Sequence, residues 1–130
     1  MKRILSLGLL GVLLLVMSGC QATSEGQPGY EMISAEDAKT IMDTESDFVL
    51  LDVRTEEEYA AGHIEGAVLL PDYEIRERAE EVLPNKDQTI LVYCRSGRRS
   101  KNAAAELATM GYRRVKEFGG ILDWPYEIVK

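Results

Sequence analysis

The sequence predicts an α/β domain with a mainly parallel central sheet and helices on both faces. Two observations support this prediction. Residues 48–53 and 89–94 form continuous apolar runs of the kind that are buried on both faces of a parallel sheet. Segments with helix-capping residues and amphipathic or charged character follow each run, and parallel strands need such crossover connections.

The first half of the domain can be divided by its capping and turn residues. Ser34 is expected to cap a helix that runs through Met42. Residues 55–58 (Thr-Glu-Glu-Glu) form a capping box, which predicts a short helix that stops at Gly62. Residues 67–70 are expected to form a second, shorter strand.

The next segment contains the second buried run. Asp72 is expected to cap a charged helix that runs to Leu83. The strand over 89–94 then ends at Cys94, and residues 95–99 form a tight polar loop. In sheets of this kind, functional sites form where the strands end at their carboxyl termini, so this loop is a candidate site.

The last segment predicts a helix, a strand and a final turn. Residues 100–110 are rich in alanine and predict a helix that Gly111 ends. Residues 114–117 are expected to form the last short strand. Residues 119–120 would then turn into a brief helix carrying Trp124, which is expected to fill the core.

The amino terminus predicts an export signal over residues 1–19. Lys2 and Arg3 precede an apolar run of fourteen residues, 4–17, and small residues follow it. The run is shorter than the roughly 20 residues that span a bilayer, although an uncleaved anchor remains the alternative.

Cys20 is expected to be lipidated. Residues 16–20 (Val-Met-Ser-Gly-Cys) resemble a bacterial lipoprotein cleavage site, in which the cysteine becomes the acylated first residue, with chains such as palmitate. Residues 20–29 would then be a flexible tether, and 30–130 a single domain held at the bacterial cell envelope, on the periplasmic or another extracytoplasmic face. The alternative is a plain secretory signal followed by an ordinary cysteine.

The charge balance excludes some classes of partner. The chain has 22 acidic and 15 basic residues and a formal charge of −7, which loss of Lys2 and Arg3 would make more negative by two. Such a surface argues against general nucleic-acid binding and against electrostatic adhesion to anionic lipid. An apolar content of 45% indicates a folded core rather than a disordered chain.

Cys94 is the candidate reactive group. Gly97 allows the loop after it to turn its backbone N–H groups inward, and the following helix presents free N–H groups to the same point. These donors would favour the thiolate, as would four nearby cations: Arg95, Arg98, Arg99 and Lys101. The alternatives are a structural cysteine beside solvated arginines, and a disulfide with Cys20.

Three motifs in order along the chain show a family resemblance. They are residues 51–54 with 58–59, 62–67 and Pro71; the loop 94–100 (Cys-Arg-Ser-Gly-Arg-Arg-Ser); and residues 118–121 with Trp124. Together they resemble the rhodanese-like sulfurtransferases over residues 30–130, which implies that family's three-layer α/β/α fold. Leu69 departs from the family pattern, which often has Asn there, at the expected cost of one local backbone hydrogen bond.

The resemblance implies a persulfide mechanism. Cys94 would attack the outer sulfur of a small anionic donor such as thiosulfate, and a thiol acceptor would then take the sulfur. The family pattern places the binding site in the loop, whose residues are Arg95, Ser96, Gly97, Arg98 and Arg99. No metal or organic cofactor is required. No feature of the sequence identifies a protein partner.

Two other motif residues have expected roles. Arg54 is expected to form an ion pair with Glu58 that fixes the loop. His63, the single histidine, is expected to be a hydrogen-bonded turn residue rather than a general base, because a thiolate already stabilised by its loop needs no base.

Two rival functions remain open. Arsenate reductases and protein phosphatases also use a cysteine loop that ends in arginine, but the tyrosine-phosphatase spacing of cysteine, five residues and arginine is absent, because Ser100 stands where that arginine would be. The second rival is a persulfide carrier or partner-docking module, in which another protein supplies the sulfur.

Overall fold

The computed structural model describes residues 29–130. The predicted signal over 1–19, the lipidation at Cys20 and most of the predicted tether therefore lie outside the described residues. Within 29–130, no helix is long and apolar enough to cross a bilayer.

A five-stranded parallel sheet forms the centre of the domain and confirms the predicted fold class. Its spatial order is β1-β5-β4-β2-β3, and every neighbouring pair is parallel. The strands are β1 (Glu31–Met32), β2 (Phe48–Asp52), β3 (Val68–Leu69), β4 (Thr89–Cys94) and β5 (Val115–Gly120). β4 lies between β2 and β5, so the candidate cysteine ends the central strand.

Four helices connect the strands: α1 (Ala35–Thr44), α2 (Glu56–Ala61), α3 (Ile75–Val82) and α4 (Arg98–Thr109). The predicted caps of the first two are confirmed, since Ser34 Oγ accepts a hydrogen bond from Asp37 N at 3.0 Å and Thr55 Oγ accepts one from Glu58 N at 3.2 Å. The predicted stop at Gly62 is confirmed as the end of α2.

Several predicted boundaries were wrong for local reasons. Asp72 caps no α-helix; it begins a 3₁₀ turn, Asp72–Glu74, after Pro71, and α3 begins at Ile75. α4 begins at Arg98, two residues before the predicted start, because the left-handed turn at Gly97 (φ +104°) opens the helix directly. β1 was not predicted, since only two exposed residues form it.

The end of the last strand also differs from the prediction. β5 continues through Gly120 instead of stopping at residue 117, because the ladder shifts register beyond Val92 and then pairs Cys94 with Gly120. The predicted brief helix is the 3₁₀ turn Ile121–Asp123, and Trp124 follows it.

The sheet separates two apolar cores, as expected for strands whose side chains alternate between faces. One face packs on α3 and α4 through a cluster that includes Val92, Cys94 and Leu107. The other cluster includes Leu91, Phe118 and Trp124. Trp124 is only 8% exposed, which confirms its predicted place in the core.

Candidate active site

Cys94 lies at the carboxyl end of the central strand, beneath the loop that leads into α4. Its side chain is fully buried. The backbone N–H of Gly97 donates to Cys94 Sγ at 3.0 Å, and Ser100 Oγ lies 3.3 Å from the same sulfur. An inward-facing amide and the amino end of a helix both favour negative charge on this sulfur.

Two glycines allow the loop after Cys94 to lie close to the sulfur and to the end of β5. Gly97 has a φ of +104°, a conformation that residues with a Cβ rarely adopt. Gly120 lies directly against the loop, where an added Cβ would come within 2.1 Å of Arg95 O. The end of β5 and the loop after Cys94 can therefore pass each other only because residue 120 has no side chain.

The basic side chains around the loop differ in their exposure to solvent and in their ion pairing. Arg95, Arg98 and Lys101 are exposed, whereas Arg99 is partly buried and forms two hydrogen bonds with Glu58 of α2, each 2.8 Å long. The hydrogen bonds that Arg99 donates to Glu58 raise the pKa of Arg99 and lower the pKa of Glu58. The charge of Arg99 is thus partly neutralised within the protein.

Arg54 does not form the ion pair that the sequence suggested. It binds Asp52 instead, with Nη2 donating to Oδ2 at 2.7 Å, while Glu58 binds Arg99. The Arg54 side chain folds back onto the carboxylate of Asp52, which is two residues before it at the end of β2. Arg54 Nη2 also donates to Gly62 O at 2.8 Å. The prediction of an Arg54–Glu58 pair was wrong.

The Asp52–Arg54 pair continues to the strand that carries the cysteine. The hydroxyl of Tyr93 donates to Asp52 Oδ2 at 2.6 Å and accepts from Ile64 N at 3.1 Å. Burial, followed by the hydrogen bond to the Asp52 carboxylate, raises the pKa of Tyr93 strongly. The residue before Cys94 is therefore fixed on the opposite side of the sheet by a buried and fully hydrogen-bonded network.

His63 is hydrogen-bonded as expected, but it lies in an isolated antiparallel bridge rather than in a turn, which follows at residues 65–66. Its Nδ1 lies 2.9 Å from Tyr59 O, its ring stacks on the Tyr59 ring with centroids 3.7 Å apart, and its backbone pairs with Val129. These contacts join the end of α2 to the carboxyl-terminal segment.

Ser100 and Glu117 lie beside Cys94, and no pattern in the sequence predicts a role for either residue. Ser100 Oγ donates to Glu117 Oε1 at 2.7 Å, and Gly119 N donates to the same oxygen at 2.8 Å. Glu117 is 2% exposed. One signal could have identified it: Glu117 stands two residues after Val115, so strand alternation turns its carboxylate toward the same buried face.

Residues 29–130 contain no group of His, Cys, Asp or Glu side chains that could hold a metal ion. The groups at the site are a buried sulfur, the amide and hydroxyl beside it, and the exposed basic side chains of the loop.

This fold and site define a family. A model of the rhodanese-like domain matches residues 34–126, and the chain belongs to that family. The chain is 41% identical over 73 residues to the thiosulfate sulfurtransferase PspE of Escherichia coli, a match that covers 56% of this chain and 70% of that protein.

Two further comparisons give the same result. The chain is 42% identical over 95 residues to a sulfurtransferase of Allochromatium vinosum, covering 72% of this chain and 86% of the relative. Among solved structures, a rhodanese with anions from E. coli superposes with a TM-score of 0.60 at 38% identity, covering 64% of this chain and 98% of that one.

Proposed function

We propose that the protein is a sulfurtransferase that moves sulfane sulfur from thiosulfate, or a similar small anion, to a thiol acceptor through a persulfide on Cys94. The observation that carries this proposal is the 3.0 Å hydrogen bond from Gly97 N to Cys94 Sγ, at the amino end of α4. Family membership and relatives named as sulfurtransferases support the same reaction class.

The proposed reaction has two displacement steps. The Cys94 thiolate attacks the outer sulfur of thiosulfate, the S–S bond of the donor breaks, and sulfite leaves with the bonding pair. The acceptor thiolate then attacks the outer sulfur of the Cys94 persulfide, and Cys94 leaves as a thiolate. This is covalent catalysis, in which preorganised donors stabilise the anion formed at each stage.

The loop residues have separate roles in this scheme. Backbone N–H groups of residues 95–99 hold the outer sulfur of the persulfide, as Gly97 N holds Sγ in the free protein. The exposed guanidinium groups of Arg95 and Arg98 attract an anionic donor to the mouth of the loop, on a protein that is otherwise acidic. No step needs a metal or an organic cofactor.

A phosphatase or arsenate reductase function is less well supported. The left-handed turn at Gly97 brings its amide back to within 3.0 Å of the sulfur, three residues after Cys94. A loop whose amide lies this close to the cysteine sulfur accommodates one further sulfur atom better than a tetrahedral oxyanion. Thiosulfate and an aryl phosphate offered to the same sample should therefore give turnover with thiosulfate alone.

A turnover assay tests the proposal. The full chain with Cys20→Ser, which leaves Cys94 as the only thiol, is given thiosulfate and cyanide, and thiocyanate is measured. We expect thiocyanate from this protein and none above background from the matched Cys20→Ser, Cys94→Ser variant. Equal turnover in the two proteins would refute the proposal. Sulfur loading from a protein donor but not from thiosulfate would instead identify a carrier.

The proposal includes a location. The lipoprotein-like residues 16–20 support a protein anchored to the bacterial cell envelope by acyl chains on Cys20, since two or more chains give stable membrane attachment. The sulfur donor and acceptor would then be molecules present outside the cytoplasm.

A further inference from the structure

Glu117 is a carboxylate on an apolar face of the sheet. It pairs in register with Val92 of β4 and lies on the face that α4 covers, two residues after the buried Val115. Burial of a carboxylate at 2% exposure is unfavourable unless hydrogen bonds compensate for lost water. Its Oε1 receives two such bonds, from Ser100 Oγ at 2.7 Å and from Gly119 N at 2.8 Å.

Ser100 joins this carboxylate to the candidate nucleophile. Its Oγ lies 2.7 Å from Glu117 Oε1 and 3.3 Å from Cys94 Sγ, with Gly97 O at 3.1 Å and Gly119 O at 3.3 Å. A hydroxyl has one proton to donate. The shortest of these distances, and the negative charge of a carboxylate, direct that proton to Glu117, so the Ser100 oxygen faces the sulfur as an acceptor.

We propose that Glu117 accepts the proton of the Cys94 thiol through Ser100. The thiol proton passes to Ser100 Oγ while the hydroxyl proton of Ser100 passes to Glu117 Oε1. The products are a Cys94 thiolate, which now accepts a hydrogen bond from Ser100, and a Glu117 carboxylic acid, which donates to Ser100. Both hydrogen bonds survive with their directions reversed, and the net charge of the three groups is unchanged.

The surrounding charges favour one negative charge in this chain of groups rather than two. Two buried anions joined by one hydroxyl repel each other, so a proton kept on Glu117 makes the thiolate easier to form. The amino end of α4 meets Cys94 through Gly97 N. Arg99 interacts electrostatically with Cys94, but its guanidinium group binds Glu58 of α2. Arg95 and Arg98 are exposed above the loop.

The lysines on the other side of the sheet form ion pairs with carboxylates other than Glu117. Lys116 lies on the opposite face of β5 and binds Glu31 of β1, and Lys39 of α1 binds Asp43. Among residues 29–130, no cationic side chain forms a salt bridge with Glu117. Its carboxylate therefore has only neutral donors, which suits a group that exchanges a proton.

This inference deepens the proposed function and rests on it, because a thiolate is the form that attacks the donor. Glu117 would hold the proton while Cys94 carries sulfur, and would return it when the thiolate is released. One cycle then needs no proton exchange with solvent at the buried sulfur.

The test is the pH dependence of Cys94 alkylation by iodoacetamide in the full chain carrying Cys20→Ser. Two groups that share one proton titrate as a pair. We expect the alkylation rate to rise in two steps separated by a flat region, in which the shared proton keeps a constant fraction of Cys94 ionised. Glu117→Gln should show a single step, and its rate should fall about tenfold for each pH unit across the range where the parent is flat.

Glu117→Gln keeps the shape and can still accept hydrogen bonds from Ser100 and Gly119. A purely structural role for Glu117 would therefore give the parent and the variant the same number of steps. The matched control is Glu58→Gln, which removes a carboxylate that has no hydrogen bond to Ser100 or Cys94 and should keep both steps. A single step in the parent, or two steps in Glu117→Gln, would overturn the proposal.

Two further measurements keep the test decisive. Thermal melting shows whether Glu117→Gln is folded. If it is not, Ser100→Ala takes its place and should lose the flat region, because no hydroxyl then joins Cys94 to Glu117. Alkylation requires no sulfur donor. Two steps in a protein that forms no thiocyanate would therefore support the proton transfer while the sulfurtransferase function fails.

Discussion

Glu58 and Arg99 form a two-point ion pair, Oε1 to Nη1 and Oε2 to Nη2, each 2.8 Å long, that ties α2 to the first turn of α4. The two side chains are 26% and 25% exposed, so water screens the pair only in part. The pair fixes the first turn of α4, directly after the cysteine loop, against a different crossover helix.

The first prediction concerns the strength of this pair. A double-mutant cycle with Glu58→Gln and Arg99→Gln should give a coupling energy of about 1 kcal/mol in the free energy of unfolding, since the bidentate geometry is good but the pair is partly solvated. Denaturant titration of the four proteins measures it. The exposed pair of Arg113 and Asp87 is the control, and an equal coupling there would contradict this account.

The second prediction is the pH dependence of the same contact. The pKa of Glu58 is held below its ordinary value of 4.5 by Arg99, so the stabilisation is fully present above that value and is lost as pH falls through the lowered pKa. Glu58→Gln should therefore lose less stability than the parent between neutral pH and acid. Parallel losses for the two proteins in acid unfolding curves would show that Glu58 contributes nothing to this dependence.

The third prediction concerns the buried network beside Cys94. Tyr93→Phe removes a donor to the Asp52 carboxylate and an acceptor for Ile64 N, which should cost about 2–3 kcal/mol of unfolding free energy. Tyr112→Phe removes one hydrogen bond to a neutral carbonyl, Leu83 O, and should cost about 1 kcal/mol. A Tyr93→Phe cost no larger than that of Tyr112→Phe would contradict the proposed network.

The fourth prediction concerns Gly120. An alanine there would place Cβ within 2.1 Å of Arg95 O, so Gly120→Ala should displace the loop and cost about 3 kcal/mol or more. Gly66→Ala is the control, because its Cβ meets nothing within 4 Å and only its φ of +82° is unfavourable, at about 1–2 kcal/mol. Unfolding titrations that give the two variants similar stability would contradict the close approach.

The fifth prediction concerns access to the sulfur. Cys94 is fully buried under its loop, so reagents should react in order of size. In the Cys20→Ser chain, a small methylthiolating reagent should modify Cys94 at least about tenfold faster, relative to free cysteine, than an aromatic disulfide does. Similar relative rates would mean that the sulfur is openly exposed in solution.

The fold could largely be predicted from the sequence because its signals are local. Strand β4 was predicted with its observed bounds, since all six of its residues are buried and the run is continuous. The caps at Ser34 and Thr55 depend on residues within one helical turn. Strand β1 could not be predicted, because two exposed residues have no pattern and acquire their pairing only from β5.

The site was harder to predict because its contacts join distant parts of the chain. The motif placed Cys94 and Gly97 correctly at a strand–loop–helix junction. The partner of Arg99 lies 41 residues away, and Glu117 lies 17 residues from Ser100, so spacing along the sequence could not reveal either contact. The predicted Arg54–Glu58 pair was wrong because Arg54 binds Asp52, two residues before it, while Glu58 binds Arg99 from another element.

The most direct test of the central claim is the mass of the protein after incubation with thiosulfate. The Cys20→Ser chain, freed of excess donor, should gain the mass of one sulfur atom, located on the peptide that contains Cys94 and removed by a thiol reductant. No mass gain on that peptide, or the same gain in the Cys94→Ser variant, would contradict a persulfide at this residue.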